Sequence, residues 1–308
     1  TLSDGAAISE WKDLSGNEND ATQASAANQP VLTGQAIVFD GSNDQMTLPD
    51  GTMPFGNTDY EFIVVAKSHG DHKWIIYASG TVLIANQSNG LRYNTSRRAY
   101  NYWWGNDIYT GENVIDLNEL QLIEYSYDTD SGRKIYIDGV KAAESSESNR
   151  ATTSGSNIIG GGYTNFDLDG EISEMLIFDQ ALTSDERAKI NYYLSKKWGL
   201  ENRIDSDGDG FVDELEVSAG LSPIDSNDRP IKFAESVTDQ IGEDSGLESI
   251  QSNLKLWLDA TNIDQLSNVS ITDGASISEW NDLSGNGNHA IQGSAANQPV
   301  LTGQAIVF

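Results

Sequence analysis

The sequence predicts an all-β protein, a two-sheet antiparallel sandwich with one C-terminal helix. Three observations carry this. Through residues 1–180, short apolar runs alternate with clusters of Gly, Asn, Asp and Ser, the pattern of strands joined by turns. Asp138-Gly139 stands between Ile135-Tyr136-Ile137 and Val140-Lys141-Ala142, a hairpin signal. Only Thr183–Gly199 has sustained helical spacing.

Taken in order, Gln35–Phe39 reads as a strand, broken by Asp40-Gly41-Ser42-Asn43-Asp44 and resumed at Gln45–Leu48. Tyr60–Lys67 is a strongly apolar strand. Trp74–Ala78 and Val82–Asn86 are expected to pair around Ser79-Gly80. Leu120–Tyr127, Arg133–Ile137, Asn157–Gly160 and Glu171–Phe178 complete the set. The helix opens on Thr183-Ser184-Asp185-Glu186, a capping box in which the first and fourth residues satisfy each other's backbone N–H groups. Ile190, Tyr193, Leu194 and Trp198 follow at helical spacing and are expected to face the sandwich. Lys196 and Lys197 complement the dipole in the last turn, and Gly199 suits the residue just past the end.

The chain has 308 residues, with 18 Lys plus Arg against 47 Asp plus Glu, a net charge of −29. A surface this acidic repels nucleic acid and anionic membrane and favours divalent cations. No Cys is present, so there is no disulfide framework and no thiolate chemistry. No apolar run approaches membrane-spanning length, so no membrane insertion is expected.

Beyond the helix lies Asp205-Ser206-Asp207-Gly208-Asp209-Gly210-Phe211-Val212-Asp213-Glu214-Leu215-Glu216. Side-chain oxygens fall at loop positions 1, 3, 5, 9 and 12 (Asp205, Asp207, Asp209, Asp213, Glu216). Gly210 sits at the sharp turn of position 6, and Phe211 offers a carbonyl at position 7. This is the ligand spacing of an EF-hand calcium loop. Five carboxylates so close repel one another unless a cation lies among them, and a bidentate Glu favours Ca²⁺ over Mg²⁺. Asp213–Ala219 is expected to form a short exiting helix.

Residues 1–39 recur almost unchanged as 270–308, an offset of 269; DGAAISEWKDLSGNENDATQASAANQPVLTGQAIVF (4–39) matches DGASISEWNDLSGNGNHAIQGSAANQPVLTGQAIVF (273–308). A period this long implies a tandem array of large modules. Leu254–Ala260, an alternating strand pattern, precedes the second copy and has no counterpart before the first. The module in 1–200 is therefore expected to lack its opening strand, which 254–260 would supply in cis or to a neighbour. The division expected is a jelly-roll-sized domain over 1–200, a calcium spacer over 201–230, an acidic linker over 231–253 with a strand at Ile231–Ala234, and the start of the next repeat over 254–308.

LKLWLDA with ISEWNDLSGNGNHA (254–290), AIVFDGSNDQMTLP (36–49), RKIYIDGV (133–140) and IIGGGYTNFDLDGEISEMLIFDQALTSDERAKINYYLSKKWGL (158–200) resemble the LamG-like jelly-roll domains of the concanavalin A-like lectin/glucanase superfamily. Residues 205–230 are similar to thrombospondin type 3 or bacterial EF-hand spacers. The resemblance implies a two-sheet antiparallel jelly roll, a secreted or cell-surface setting, and binding or adhesion rather than catalysis.

Candidate sites can be weighed from the residues. Glycosidases of this kind place carboxylates on one strand as Glu-x-Asp-x-x-Glu. Glu171-Ile172-Ser173-Glu174 lacks the pattern, and a spacing of three puts Glu171 and Glu174 on opposite faces of a regular strand. No catalytic residue is assigned and no enzyme is expected. His69-Gly70-Asp71-His72 lacks a third metal partner. Asp13–Asn19 and Asp40–Asp44 read as Asx turns sooner than second calcium sites. In Arg97-Arg98-Ala99-Tyr100-Asn101-Tyr102-Trp103-Trp104, a strand would place Arg98, Tyr100, Tyr102 and Trp104 on one face and Asn101 and Trp103 on the other. Only one face can be core, and aromatic rings beside polar groups suit sugars, so the first four are the glycan candidates. The expected partners are an extracellular polysaccharide or neighbouring copies of the chain. The two functions that fit are an adhesion module and a subunit of an extracellular fibre.

Overall fold

The computed structural model describes residues 2–72, 74–80, 84–155, 157–162, 166–228, 255–256, 258–266, 268–283, 286–303 and 305–308. The chain divides into two units, Thr1–Leu200 with Ile204–Gly208, and Glu201–Arg203 with Asp209–Phe308.

The first unit is a sandwich of two antiparallel sheets, consistent with a jelly roll. Among the described residues its strands are β1 (Glu10–Trp11), β2 (Ala21–Thr22), β3 (Val31–Thr33), β4 (Ala36–Asp40), β5 (Met46–Thr47), β6 (Tyr60–Ser68), β7 (Ile75–Gly80), β8 (Ser88–Asn94), β9 (Arg98–Tyr102), β10 (Ile108–Tyr109), β11 (Gln121–Asp128), β12 (Gly132–Ile137), β13 (Val140–Ser145), β14 (Asn157–Ile159) and β15 (Asp169–Phe178). One sheet runs β1-β2-β5-β14-β7-β8-β9-β10, and the other β13-β12-β11-β6-β15-β4-β3.

The core between the sheets is built by alternation. Phe39, Tyr60, Phe62, Val64 and Tyr125 from one sheet meet Met46, Tyr77, Leu91, Ala99 and Trp103 from the other. The Phe62 and Tyr77 rings pack 5.5 Å apart. β6 reads as continuously apolar because both its faces are covered. Its intervening residues Ile63 and Val65 form a second cluster with Leu122, Leu194, Leu200 and Ile204.

That second cluster lies beneath α1 (Ser184–Trp198). The capping box forms as expected: Glu186 N–H donates to the Thr183 hydroxyl, and Thr183 N–H donates to the Glu186 carboxylate at 3.0 Å. Gly199 takes the left-handed conformation and closes the helix on the Ser195 carbonyl. Ile190, Leu194 and Trp198 face the sheet. Tyr193 does not; its ring is exposed and lies 5.4 Å from the Lys197 ammonium. Polar groups hold the helix down as well. Arg187 pairs with Glu61 and Glu124, each at 3.1 Å, and Asn191 donates to Glu124 at 3.0 Å.

Two sequence expectations are corrected here. β7 pairs with β8; of the expected partner Val82–Asn86, Ile84–Asn86 belongs to the turn between them, and Val82 and Leu83 lie outside the described residues. The extra length sits in the connection, where Asn86 takes a positive φ. Glu171 and Glu174 lie on the same face of β15. Ile172 opposes Ala66 and Glu174 opposes Val65, so Ser173 is the extra residue of a bulge, and the bulge shifts the parity by one. On that outer face Glu171 meets Lys67 and His69, and Glu174 meets Lys197 and Trp198.

The second unit contains α2 (Asp213–Ala219), as expected from the sequence. It also repeats the opening of the first unit at the same offset: β16 (Glu279–Trp280), β17 (Ala290–Ile291), a 3-10 turn over Ala295–Asn297, β18 (Val300–Thr302) and β19 (Ala305–Val307). Ile263, Ile277 and Leu301 form its small core. The described residues of 254–260 are not in a strand: Trp280 Nε1 donates to the Asp259 carbonyl, which holds this segment against its own repeat. Leu254, Trp257 and the strand expected at Ile231–Ala234 lie outside the described residues.

Candidate functional site

The first candidate site is the outer face of the β8–β9–β10 corner. The β8–β9 register sets Arg92 opposite Tyr100 and Gly90 opposite Tyr102; in β10, Tyr109 stands opposite Tyr100. Ala99 and Asn101 are buried on the core side of β9, so Arg98, Tyr100 and Tyr102 are displayed on the other, as the alternation predicts; beyond the strand Trp103 is buried, and Trp104, at a φ of +59°, is exposed. The corner is fixed from behind. Asn89 Oδ1 accepts from Tyr60 Oη, Asn101 Nδ2 and Trp103 Nε1, at 3.3, 2.8 and 3.3 Å. This buried network ties β8 to β9 and to the facing sheet, which holds the displayed rings on a stiff support.

The rings form one continuous platform. Tyr100 and Tyr109 stack at 5.2 Å and 11° between planes. Tyr102 meets Trp104 edge to face at 5.5 Å. Trp104 remains 38% and Tyr109 49% exposed, so large apolar faces are open to solvent. Arginines stiffen the set. The Arg92 guanidinium lies 4.7 Å from the Tyr100 ring and 4.5 Å from the Tyr102 ring, and Arg98 lies 5.0 Å from the Tyr109 ring. Arg98 also pairs with Glu112 at 2.7 Å. Tyr100 donates to Asp107 at 3.3 Å, and its phenol is pushed up by desolvation and then by the Asp107 charge. Such a surface offers flat apolar area with donors and acceptors at its rim, the chemistry that binds pyranose rings. Beside Arg98, Tyr100, Tyr102 and Trp104, the candidates named from the sequence, the structure places Arg92, Tyr109 and Phe166, which the sequence did not point to. These come from separate strands and loops and join only through the register.

The second candidate is the 205–216 loop. Its entry is anchored: Asp205 N–H donates to the Asp138 carbonyl at 3.0 Å, and Gly139 passes so close that no side chain fits between it and the Asp205 carbonyl. Ile204, just before, is fully buried in the cluster under α1. Asp205, Asp207 and Asp209 bring one carboxylate oxygen each within 4.8 Å of one another. Asp205 accepts from Gly208 N–H at 2.8 Å, and Asp209 from Phe211 N–H at 3.0 Å. Gly208 and Gly210 both take positive φ, as the tight turn requires. Asp213 and Glu216, in the first turn of α2, are fully buried. An all-oxygen donor set of this kind fits a hard divalent cation such as Ca²⁺.

The remaining candidates resolve as turns and ion pairs. Asp13 accepts from Ser15 and Asn19 N–H, and Asp40 from Ser42 and Asn43 N–H, as Asx turns do. His69 bridges Asp169 and Glu171, at 3.0 and 3.1 Å.

Compared with known proteins, residues 40–186 match the Laminin_G_3 family profile, described as the concanavalin A-like lectin/glucanases superfamily. No curated protein matches. Among solved structures, a Trypanosoma rangeli sialidase is similar at 19% identity, with a TM-score of 0.49, over 64% of this chain and 32% of that one. Domain 4 of a GH43 extracellular arabinanase from Geobacillus stearothermophilus, in complex with arabinotriose, aligns at 18% identity and a TM-score of 0.39, over 48% and 72%. A heptameric SAP-like pentraxin from Limulus polyphemus aligns at 16% identity and a TM-score of 0.39, over 49% and 80%. The chain thus spans about a third of the length of the sialidases it matches. The expectation that no enzyme is involved is corrected by the family match, since the matched superfamily takes in glucanases. No described segment is a helix long and apolar enough to cross a membrane. Over residues 40–186, just under half of its length, the chain is similar to the concanavalin A-like lectin/glucanases superfamily.

Proposed function

We propose that this chain is a carbohydrate-binding module of a secreted or cell-surface protein, acting in adhesion to an extracellular polysaccharide. The observation that carries the reading is the platform of half-buried Tyr100 and Tyr102 with exposed Trp104 and Tyr109 on a stiff sheet corner. Burying such rings inside the protein is the ordinary solution, and a cluster with two rings exposed beside two half-buried ones offers a contact area for a ligand. The lectin-type superfamily supports it. Migration of the 1–308 chain through native gels containing neutral or acidic polysaccharides tests it. Retardation by at least one polysaccharide is expected, and unretarded migration in all of them would remove the reading.

Calcium completes the proposal. Asp205, Asp207, Asp209, Asp213 and Glu216, with the Phe211 carbonyl, would hold Ca²⁺ in an EF-hand-like spacer. The ion would offset the repulsion among these carboxylates and stiffen the segment after α1. In a tandem array this joint would set the spacing of successive modules and so their multivalent reach.

A second reading, a fibre subunit joined through module contacts, is motivated by the near-identical copies 1–39 and 270–308, which build the same elements. Concentration-dependent sedimentation of the chain distinguishes this reading from a monomeric adhesin.

A further inference from the structure

Arg92 differs from every other arginine of the sandwich. Arg97 donates to Asn113, Arg98 to Glu112, and Arg187 to Glu61 with Glu124 alongside. The buried Arg133 donates to Asn101 and to the Asn106 carbonyl; the buried Arg150 donates to Thr152 and to the Thr58 and Pro54 carbonyls. Arg92 is only 7% exposed, yet among the described residues no nitrogen of its guanidinium has a carboxylate, carbonyl or hydroxyl acceptor; the enclosed Nε it shares with Arg98, Arg133 and Arg187, whose other nitrogens are bonded. Three rings bracket it instead, those of Tyr100, Tyr102 and Phe166, with centroids 4.7, 4.5 and 5.4 Å away.

Ring faces attract the cation but do not accept its N–H bonds in full. Its Nε–H is held out of water without an acceptor, which is costly, while its Nη groups are not enclosed and remain open to one. The planar fork of an arginine matches the two oxygens of a carboxylate. Neighbouring charges narrow the choice. Asp107, bonded to Tyr100, and Glu112, bonded to Arg98, flank the platform, and the chain as a whole carries −29. A densely charged polyanion is repelled there. A sugar bearing one carboxylate per ring can place that group at Arg92 and its apolar face on Tyr102 and Trp104.

We propose that Arg92 is the specificity-determining residue of this face, and that it selects uronate-type sugars from an acidic polysaccharide. This rests on the carbohydrate-binding reading above. Calorimetric titration of the 1–308 chain with oligomers of polygalacturonate and alginate, their methyl esters, and dextran sulfate tests it at physiological salt. At least one acid oligomer is expected to bind about tenfold or more tightly than its ester and than dextran sulfate. Arg92→Met is expected to abolish the preference for acid over ester, and Arg92→Lys, which keeps the charge but loses the fork, to reduce it. If Arg92→Met does not fold, the acid-against-ester comparison in the parent chain and the Arg92→Lys variant decide. Equal binding of acid and ester, a preference surviving in Arg92→Met, or preference for dextran sulfate would each overturn the proposal while leaving sugar binding in place. Binding of no polysaccharide, acidic or neutral, would overturn both.

Discussion

Gly139 packs directly on the Asp205 carbonyl, so a β-carbon at position 139 would overlap that oxygen. The neighbouring Asp138 carbonyl accepts the Asp205 N–H at 3.0 Å. The tip of the β12–β13 hairpin is thus the seat on which the acidic loop begins. Gly139 also has a φ of +88°, which strains any side chain. Gly139→Ala is therefore expected to lower stability by about 1–3 kcal/mol, the usual range for overpacking. Thermal melts of parent and variant measure it. An unchanged melting temperature would mean that the loop entry does not depend on this contact.

Calcium should act on the same joint. A ligand that binds only the folded state at a hundred times its Kd stabilises by about 2.7 kcal/mol. The melting temperature should rise with added Ca²⁺ and fall with chelator, and Asp205→Ala with Glu216→Gln should erase the difference. A melting temperature indifferent to calcium in the parent chain would show that the 205–216 spacing is not a working site.

The base of α1 predicts a pH dependence. Burial pushes the Glu124 carboxyl up to about 8, with the nearby Glu61 charge adding to it and Arg187 opposing. Glu61 is also raised, again mainly by burial. Arg187, Tyr136 and Asn191 are the other charged or polar groups facing Glu124. Between the ordinary value of 4.5 and about 8, the folded chain keeps a proton that the unfolded chain releases. Stability should therefore fall as pH rises across that window, the reverse of a salt-bridged carboxylate held low. Glu124→Gln should flatten the fall. Melts in chelator, which removes the opposite pH dependence expected of a calcium site, read this directly; a slope unchanged by Glu124→Gln would contradict it.

Much of this architecture was legible in local chemistry. Thr183 and Glu186 announced the helix start, Gly199 its end, and Asp138-Gly139 its hairpin, because each signal is complete within a few residues. The alternation over Arg98–Tyr102 gave the two faces of β9 for the same reason. What escaped was set by distant chain. Strands of two residues, such as β1, β2 and β5, exist through their partners, and no periodicity can be counted in them. The Ser173 bulge reversed the faces of Glu171 and Glu174 because β15 must match β6 along its length. Arg92 joined the platform through pairing with Tyr100, and Phe166 through a loop far along the chain.

The most direct test of the central claim is polysaccharide binding by the Tyr102→Ala, Trp104→Ala double variant, measured by calorimetry beside the parent chain. Both rings are displayed away from the core, so the variant should keep its fold. The platform account predicts a loss of affinity of about tenfold or more, roughly 1.4 kcal/mol. Undiminished binding by a folded double variant would place the sugar elsewhere and contradict the account.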